Sequence, residues 1–195
     1  MKKKFIVPII ISLLVLTVLL VVFLLPKKDS IFATFTLDIN PSIEINVDEE
    51  EKVISVNPLN DDAKDLINYE VEGITVDEFL YKFTEKIVEK GYAVDNHLVI
   101  LMNSTGNVDK INFEGKIINN FGEKDIDVEL IIIESITEED EKYAKEHNIS
   151  SSKAAYINSI SKENENIDKD LLINKPINEL KDTKQTGNYC NDGYI

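Results

Sequence analysis

Polar and apolar positions divide the chain into three stretches. From Phe5 to Leu25 there is no charged residue, and only Pro8, Ser12 and Thr17 interrupt an apolar run of 21 residues. About 20 such residues suffice to cross the hydrocarbon of a bilayer as a helix, and Pro8 sits near the start, where a missing N–H costs least. A cleaved signal peptide would have a shorter apolar region followed by a small-x-small site. Here Leu25-Pro26-Lys27-Lys28 follows, so the run reads as a retained transmembrane anchor. After it the period changes to two. Ala33 to Ile39 and Ser42 to Val47 alternate as strands, Asp48 to Glu51 is a charged turn, and Lys52 to Val56 is a third strand, which together predict a meander.

Beyond the meander, helical spacing returns. Asp61 to Ile67 predicts one or two helical turns. Val76 to Lys90 predicts the strongest helix, with Thr75 and Glu78 as a capping box, Val76, Phe79, Leu80, Phe83, Ile87 and Val88 on one face, and Gly91 as its stop. His97 to Met102 has strand length, Val108 to Phe121 leans to helix despite Gly115, and Ile126 to Ile133 predicts a buried strand. Thr137, with Asp140 in the capping position, opens a helix to about His147. Ser150 caps another through Ile160, and Asp168 to Ile173 predicts a last short one. The fold class expected is α/β in the mixed α+β sense, one transmembrane helix followed by a compact domain with a β-meander start and amphipathic helices. The boundaries are a stub at 1–4, the anchor at 5–25, the domain at 29–180 and a disordered tail at 181–195.

Charge orients this plan. Lys2, Lys3 and Lys4 precede the apolar run and no acid occurs before Asp29. The positive-inside bias therefore places the N-terminus in the cytoplasm and the domain outside, at the cell membrane. The segment 29–195 holds all 36 acidic residues against 16 of the 21 basic ones, every one of them lysine. Such a surface repels phosphate backbones and excludes nucleic acid as a partner; the bilayer is the partner that the anchor implies. Cys190 is alone in the chain, so it closes no intrachain disulfide.

Candidate chemistry is sparse. His97 and His147 lack the short spacings of zinc ligands. Asp48-Glu49-Glu50-Glu51 and Glu138-Glu139-Asp140-Glu141 lack the alternating oxygens and glycine of a calcium loop, and read as a solvated turn and a helix start. No phosphate loop or nucleophile elbow is present, so neither a cofactor nor a turnover enzyme is expected. One block differs. Asp38-Ile39-Asn40-Pro41-Ser42-Ile43-Glu44 places Asn-Pro between two strands. Proline is confined to edges and bulges of sheets, so a bulge or tight turn explains it structurally. A chemical account stands beside that one. An asparagine amide can attack its own carbonyl, close a succinimide and expel the next residue's nitrogen. The competing deamidation needs a following N–H, which proline lacks.

The stretch from Ala33 to Ile45 resembles the juxtamembrane start of the extracytoplasmic domain of RsgI-type anti-sigma-I factors. The likeness continues through Val53-Ile54-Ser55-Val56, Leu59-Asn60-Asp61-Asp62-Ala63-Lys64 and Lys90-Gly91-Tyr92, and resumes from Ala144 to Ala154, covering about Ala33 to Leu180. It implies a middle domain that cleaves itself once between Asn40 and Pro41, with Ser42 and Asp38 as neighbours of undefined role. It also implies partners in the sigma pathway, an anti-sigma or sigma-pathway protein and an intramembrane protease. The family's cytoplasmic sigma-binding domain has no counterpart before the apolar run, where only Met1 to Lys4 stand, which favours a truncated or accessory form. The function expected is a membrane-anchored, self-cleaving domain of anti-sigma-type signalling; the alternative is a non-cleaving, membrane-anchored binding or scaffold module on the wall side.

Overall fold

The computed structural model describes residues 13–17, 20, 30–108, 111–164 and 167–189. The chain divides into two units, Met1–Ser30 and Ile31–Ile195. In the first, Leu13 to Thr17 and Leu20 are helical. Among the described residues no helix is long and apolar enough to cross a membrane; most of the predicted anchor, Phe5 to Leu25, lies outside them.

The second unit is a mixed α/β domain built on a five-stranded sheet. Its strands are β1 (Ala33–Asp38), β2 (Ser42–Val47), β3 (Val53–Pro58), β4 (His97–Gly106) and β5 (Asp127–Ile132). Its helices are α1 (Asp61–Lys64), α2 (Val76–Glu89), α3 (Phe113–Gly122), α4 (Glu138–His147), α5 (Ser151–Glu163) and α6 (Ile177–Tyr189), with a 3-10 turn at Lys169–Leu172. The meander is present, but the sheet order is β3-β2-β1-β4-β5. β1, first in the chain, is therefore the central strand, antiparallel to both β2 and β4. β5 returns parallel to β4, and the connection includes α3, the crossover that a parallel pair requires.

The alternation in β1 and β2 sorts side chains onto two faces. Phe35, Leu37, Ile43 and Ile45 point into a core closed by Phe79 and Phe83 of α2 and Phe113, Ile117 and Phe121 of α3. The Phe35 and Phe113 rings stack at 3.8 Å. On the opposite face Val99 and Leu101 of β4 pack against Tyr143 of α4, Ile157 and Ile160 of α5, and Leu180 of α6. This second layer brings the start of α5 over the end of β1.

Local signals place several element ends. Thr75 accepts a bond from the Glu78 amide, while the Glu78 carboxylate pairs with Lys82 rather than reaching back. Thr137 and Asp140 form a complete capping box, and Ser150 caps α5. Three expectations change. β5 is an edge strand, half-exposed along its length rather than buried, because only one neighbour pairs with it. α3 begins at Phe113, since Asn112 caps it by accepting from the Gly115 amide. A Cβ on Gly115 would lie 2.5 Å from the Asn112 side chain, so the apparent helix breaker is the residue that admits the cap. α6 runs into the stretch read as a tail; buried Ile177 and Leu180 hold it, with Lys181 paired to Glu129 and Lys184 to Glu163. Cys190 lies outside the described residues.

Candidate functional site

Asn40 and Pro41 occupy the turn between β1 and β2. Asp38 and Ser42 are directly opposite each other in the antiparallel register, so Ile39, Asn40 and Pro41 form a three-residue connection closed by the Ile39 amide donating to the Pro41 carbonyl at 2.8 Å. Asn40 has a φ of 74°. This left-handed conformation is unfavourable for most L-residues and tolerated best, after glycine, by Asn and Asp. The tight-turn reading of the sequence is thus correct as geometry, and the asparagine sits at its strained position. Asn40 is half-buried and Pro41 buried. A cleft of roughly 370 Å³ borders Asn40, Ser42, Asn60, His147, Ser150 and Lys153.

Asp38 is fully enclosed. Burial pushes its carboxyl above the ordinary range; the hydroxyls of Ser42, Ser150 and Ser152 and the Lys153 ammonium are near enough to pull the other way. Neither carboxylate oxygen has a close, well-aligned hydrogen-bond partner. Lys153 is itself buried, and burial lowers its pKa against the pull of Asp38. Burial thus moves the acid up and the base down, and the opposite charge of each partner offsets part of the other's shift. The Ser152 hydroxyl is likewise without a partner.

Asn60 spans the turn from outside. Its Oδ1 accepts from the Ser42 amide and from the Ala63 amide, both at 3.1 Å, and its Nδ2 donates to Asn40 Oδ1 at 3.4 Å. The second Asn-Pro of the chain has a different setting. Asn57 lies in β3, and its Nδ2 donates to Glu44 Oε1 at 2.9 Å across the strands. That amide nitrogen is engaged by its cross-strand neighbour.

The structure brings together all four residues singled out from sequence, Asp38, Asn40, Pro41 and Ser42. Lys153, Ser150, Ser152 and Asn60 are additions. The serines and lysine fall within the run Ile149 to Ala154 that carries part of the family likeness, and Asn60 precedes two aspartates as a helix cap would. The histidines stay apart. His97 begins β4, and His147 packs on Tyr143 at 4.2 Å. Among the described residues no group of His, Cys, Asp or Glu could hold a metal ion.

Residues 32–159 match the model of the anti-sigma factor RsgI-like central domain. The chain belongs to this family. Similar proteins from Acetivibrio thermocellus include anti-sigma-I factor RsgI3, 38% identical over 71 residues, or 36% of this chain and 11% of the relative. Anti-sigma-I factor RsgI5 is 34% identical over 82 residues, 41% of this chain and 17% of the relative. Anti-sigma-I factor RsgI4 is 23% identical over 160 residues, 76% of this chain and 30% of the relative. The chain therefore spans less than a third of the length of each of these relatives. The RsgI-like match takes in the whole sheet, the Asn40–Pro41 turn and most of α5, so every residue assembled around that turn lies inside the family's domain.

Proposed function

We propose that the chain is a membrane-anchored, self-cleaving domain of an anti-sigma-type signalling protein, cut once between Asn40 and Pro41. The observation that carries this reading is Asn40 held at a φ of 74°, in a turn whose first flanking strand ends at the enclosed Asp38. In the reaction, Asn40 Nδ2 bonds to the Asn40 carbonyl carbon and the bond from that carbon to the Pro41 nitrogen breaks. Asp38, ionised, takes the proton released by Nδ2 and delivers it to the Pro41 nitrogen, which leaves as a secondary amine. The upstream piece ends in a succinimide that water opens. One cut per molecule follows, without turnover.

The pieces, residues 1–40 and 41–195, stay joined through β1 and its two neighbours. Withdrawal of the upstream piece would leave it open to an intramembrane protease, passing the signal to a sigma-pathway partner. The uncharged run at 5–25 serves as anchor, with the domain outside the cytoplasm; a reporter fused after Ile195 is expected to be active only in its exported form, and activity in the cytoplasm would remove this placement.

Intact mass of the full chain, purified in detergent and then denatured, tests the reaction. Two pieces are expected, the second beginning at Pro41, with no new N-terminus at Pro58 because Asn57 Nδ2 is held by Glu44. One unbroken chain after prolonged incubation would leave the non-cleaving scaffold module in its place. Cutting at both Asn-Pro bonds would show that the dipeptide is labile without any help from the fold.

A further inference from the structure

The self-cleavage reading requires that Asn40 present its nitrogen, not its oxygen, to its own carbonyl carbon. A side-chain amide is close to symmetric in shape, and a rotation of the Asn40 amide by half a turn would exchange nucleophile for bystander. Something must choose between the two orientations, and the neighbours of the turn make that choice.

We propose that Asn60 is a positioning residue for scission, selecting the reactive orientation of the Asn40 amide. Hydrogen-bond valence fixes the orientation. The Ser42 and Ala63 backbone amides can only donate, and both point at one atom of Asn60 at 3.1 Å. That atom must be Oδ1. The other end of the Asn60 amide, Nδ2, is then a donor aimed at Asn40, and the Asn40 atom that meets it must be an acceptor. Oδ1 of Asn40 is thereby committed to Asn60, and Nδ2 is the end left to attack. Polarity passes in one direction, from two backbone N–H groups through Asn60 to the nucleophile.

The same residue straddles the bond to be cut. It grips the Asn40 side chain on one side and the Ser42 backbone on the other, while the Leu59 amide, one residue before it, donates to the Ser42 carbonyl at 2.8 Å. Pro41 is thus bracketed by two residues tied to the segment 59–60. Holding reacting atoms in an attack geometry is worth orders of magnitude in rate, and a nucleophile turned to its inert end forfeits that advantage.

Asn60 also caps α1, so a plain deletion would confuse positioning with stability. Asn60→Asp separates them. Aspartate keeps an acceptor oxygen for the Ser42 and Ala63 amides and caps helices as well as asparagine does, but its ionised carboxylate has no proton to give Asn40 Oδ1. Facing an acceptor, the Asn40 amide turns its nitrogen toward residue 60 and away from its carbonyl.

The inference rests on the self-cleavage reading, and one experiment distinguishes failure of either. Full-length wild type, Asn60→Asp and Asn60→Ala are made by cell-free synthesis, the intact fraction is followed with time on denaturing gels, and thermal melting is recorded for each. Rates are compared on the high-pH plateau, where an extra negative charge can no longer alter the ionisation of Asp38. Asn60→Asp is expected to melt like wild type yet cut at least tenfold more slowly, whereas Asn60→Ala loses both rate and stability. Equal plateau rates for wild type and Asn60→Asp would overturn the positioning role alone. A wild type that stays whole would overturn the scission reading and this role with it.

Discussion

Asp38→Asn is expected to slow the cut at Asn40–Pro41 by about a hundredfold or more, the range typical of a lost general acid–base group, while improving the relative stability of the domain at neutral pH. The two effects come from one feature, a carboxyl enclosed with its oxygens unpartnered. For the reaction, the ionised form accepts a proton from Asn40 Nδ2, so the wild-type rate should rise with pH through the raised pKa of Asp38 and then level off. The groups facing Asp38 are Ser42 on β2 and Ser150, Ser152 and Lys153 at the start of α5; only Lys153 is charged. Lys153→Met removes that positive charge, raises the Asp38 pKa further and should move the rising limb to higher pH. For stability, a carboxyl whose folded pKa exceeds its unfolded value binds more protons when folded. Its contribution is fully present below the unfolded value and is lost as pH rises through the folded one. The wild type should therefore lose ground to Asp38→Asn over that window, by about 1.4 kcal/mol for each unit separating the two pKa values. Rates from cell-free synthesis across pH, and denaturant melts of both proteins, make the comparison. An Asp38→Asn protein that cuts at the wild-type rate would remove Asp38 from the chemistry.

Concentration should matter to the melting of the cut protein and not to that of Asn40→Ala. Asn40→Ala has no attacking amide, so it remains one chain and unfolds at a temperature independent of dilution. After scission the same fold is a complex of residues 1–40 with 41–195, and its midpoint rises with concentration as for any association. The two pieces share the ladders of β1 with β2 and β4, six registered residues on each side, and the burial of Phe35 and Leu37. They should copurify without denaturant and separate only as the sheet unfolds, in a single transition. Phe35→Ala sharpens the test. Deleting a buried phenylalanine costs about 3–5 kcal/mol, and the stacking on Phe113 is lost with it. In the cut protein that deficit should appear as release of residues 1–40; in Asn40→Ala it should appear only as a lower melting temperature. A melting temperature of the cut protein that ignores dilution would mean that residues 1–40 do not contribute a strand.

Much of this architecture was legible along the chain because it is set by neighbours. β1, β2 and α2 declare themselves through alternation or helical spacing, and Thr75, Thr137 and Ser150 mark helix starts whose caps are local. The turn at Asn40–Pro41 was legible for the same reason. What was not legible depends on contacts between distant segments. Nothing in Ala33 to Asp38 says that β4 will pair on its far side and make it the centre of the sheet. Ile126 to Ile133 has the composition of a buried strand, yet its place at an edge follows from the strand order alone. The site divides in the same way. Asp38, Asn40, Pro41 and Ser42 are adjacent in sequence and could be named together, whereas Lys153 reaches Asp38 only because α5 packs over the sheet. Asn60 reads as a modest helix cap until its second hydrogen bond, to Asn40, is seen.

The central place of β1 also sets how the two pieces can come apart. Inter-strand hydrogen bonds in antiparallel ladders run perpendicular to the strands. A tension applied at Ala33 along the strand axis therefore shears the bonds to β2 and β4 together, instead of unzipping them one by one as it would at an edge. Below threshold the sheet yields little. Beyond it both ladders slip at once and Phe35 and Leu37 leave the core; in a chain cut at Asn40, as proposed, no covalent loop would guide the strand back. Such a joint behaves as a fuse rather than a spring.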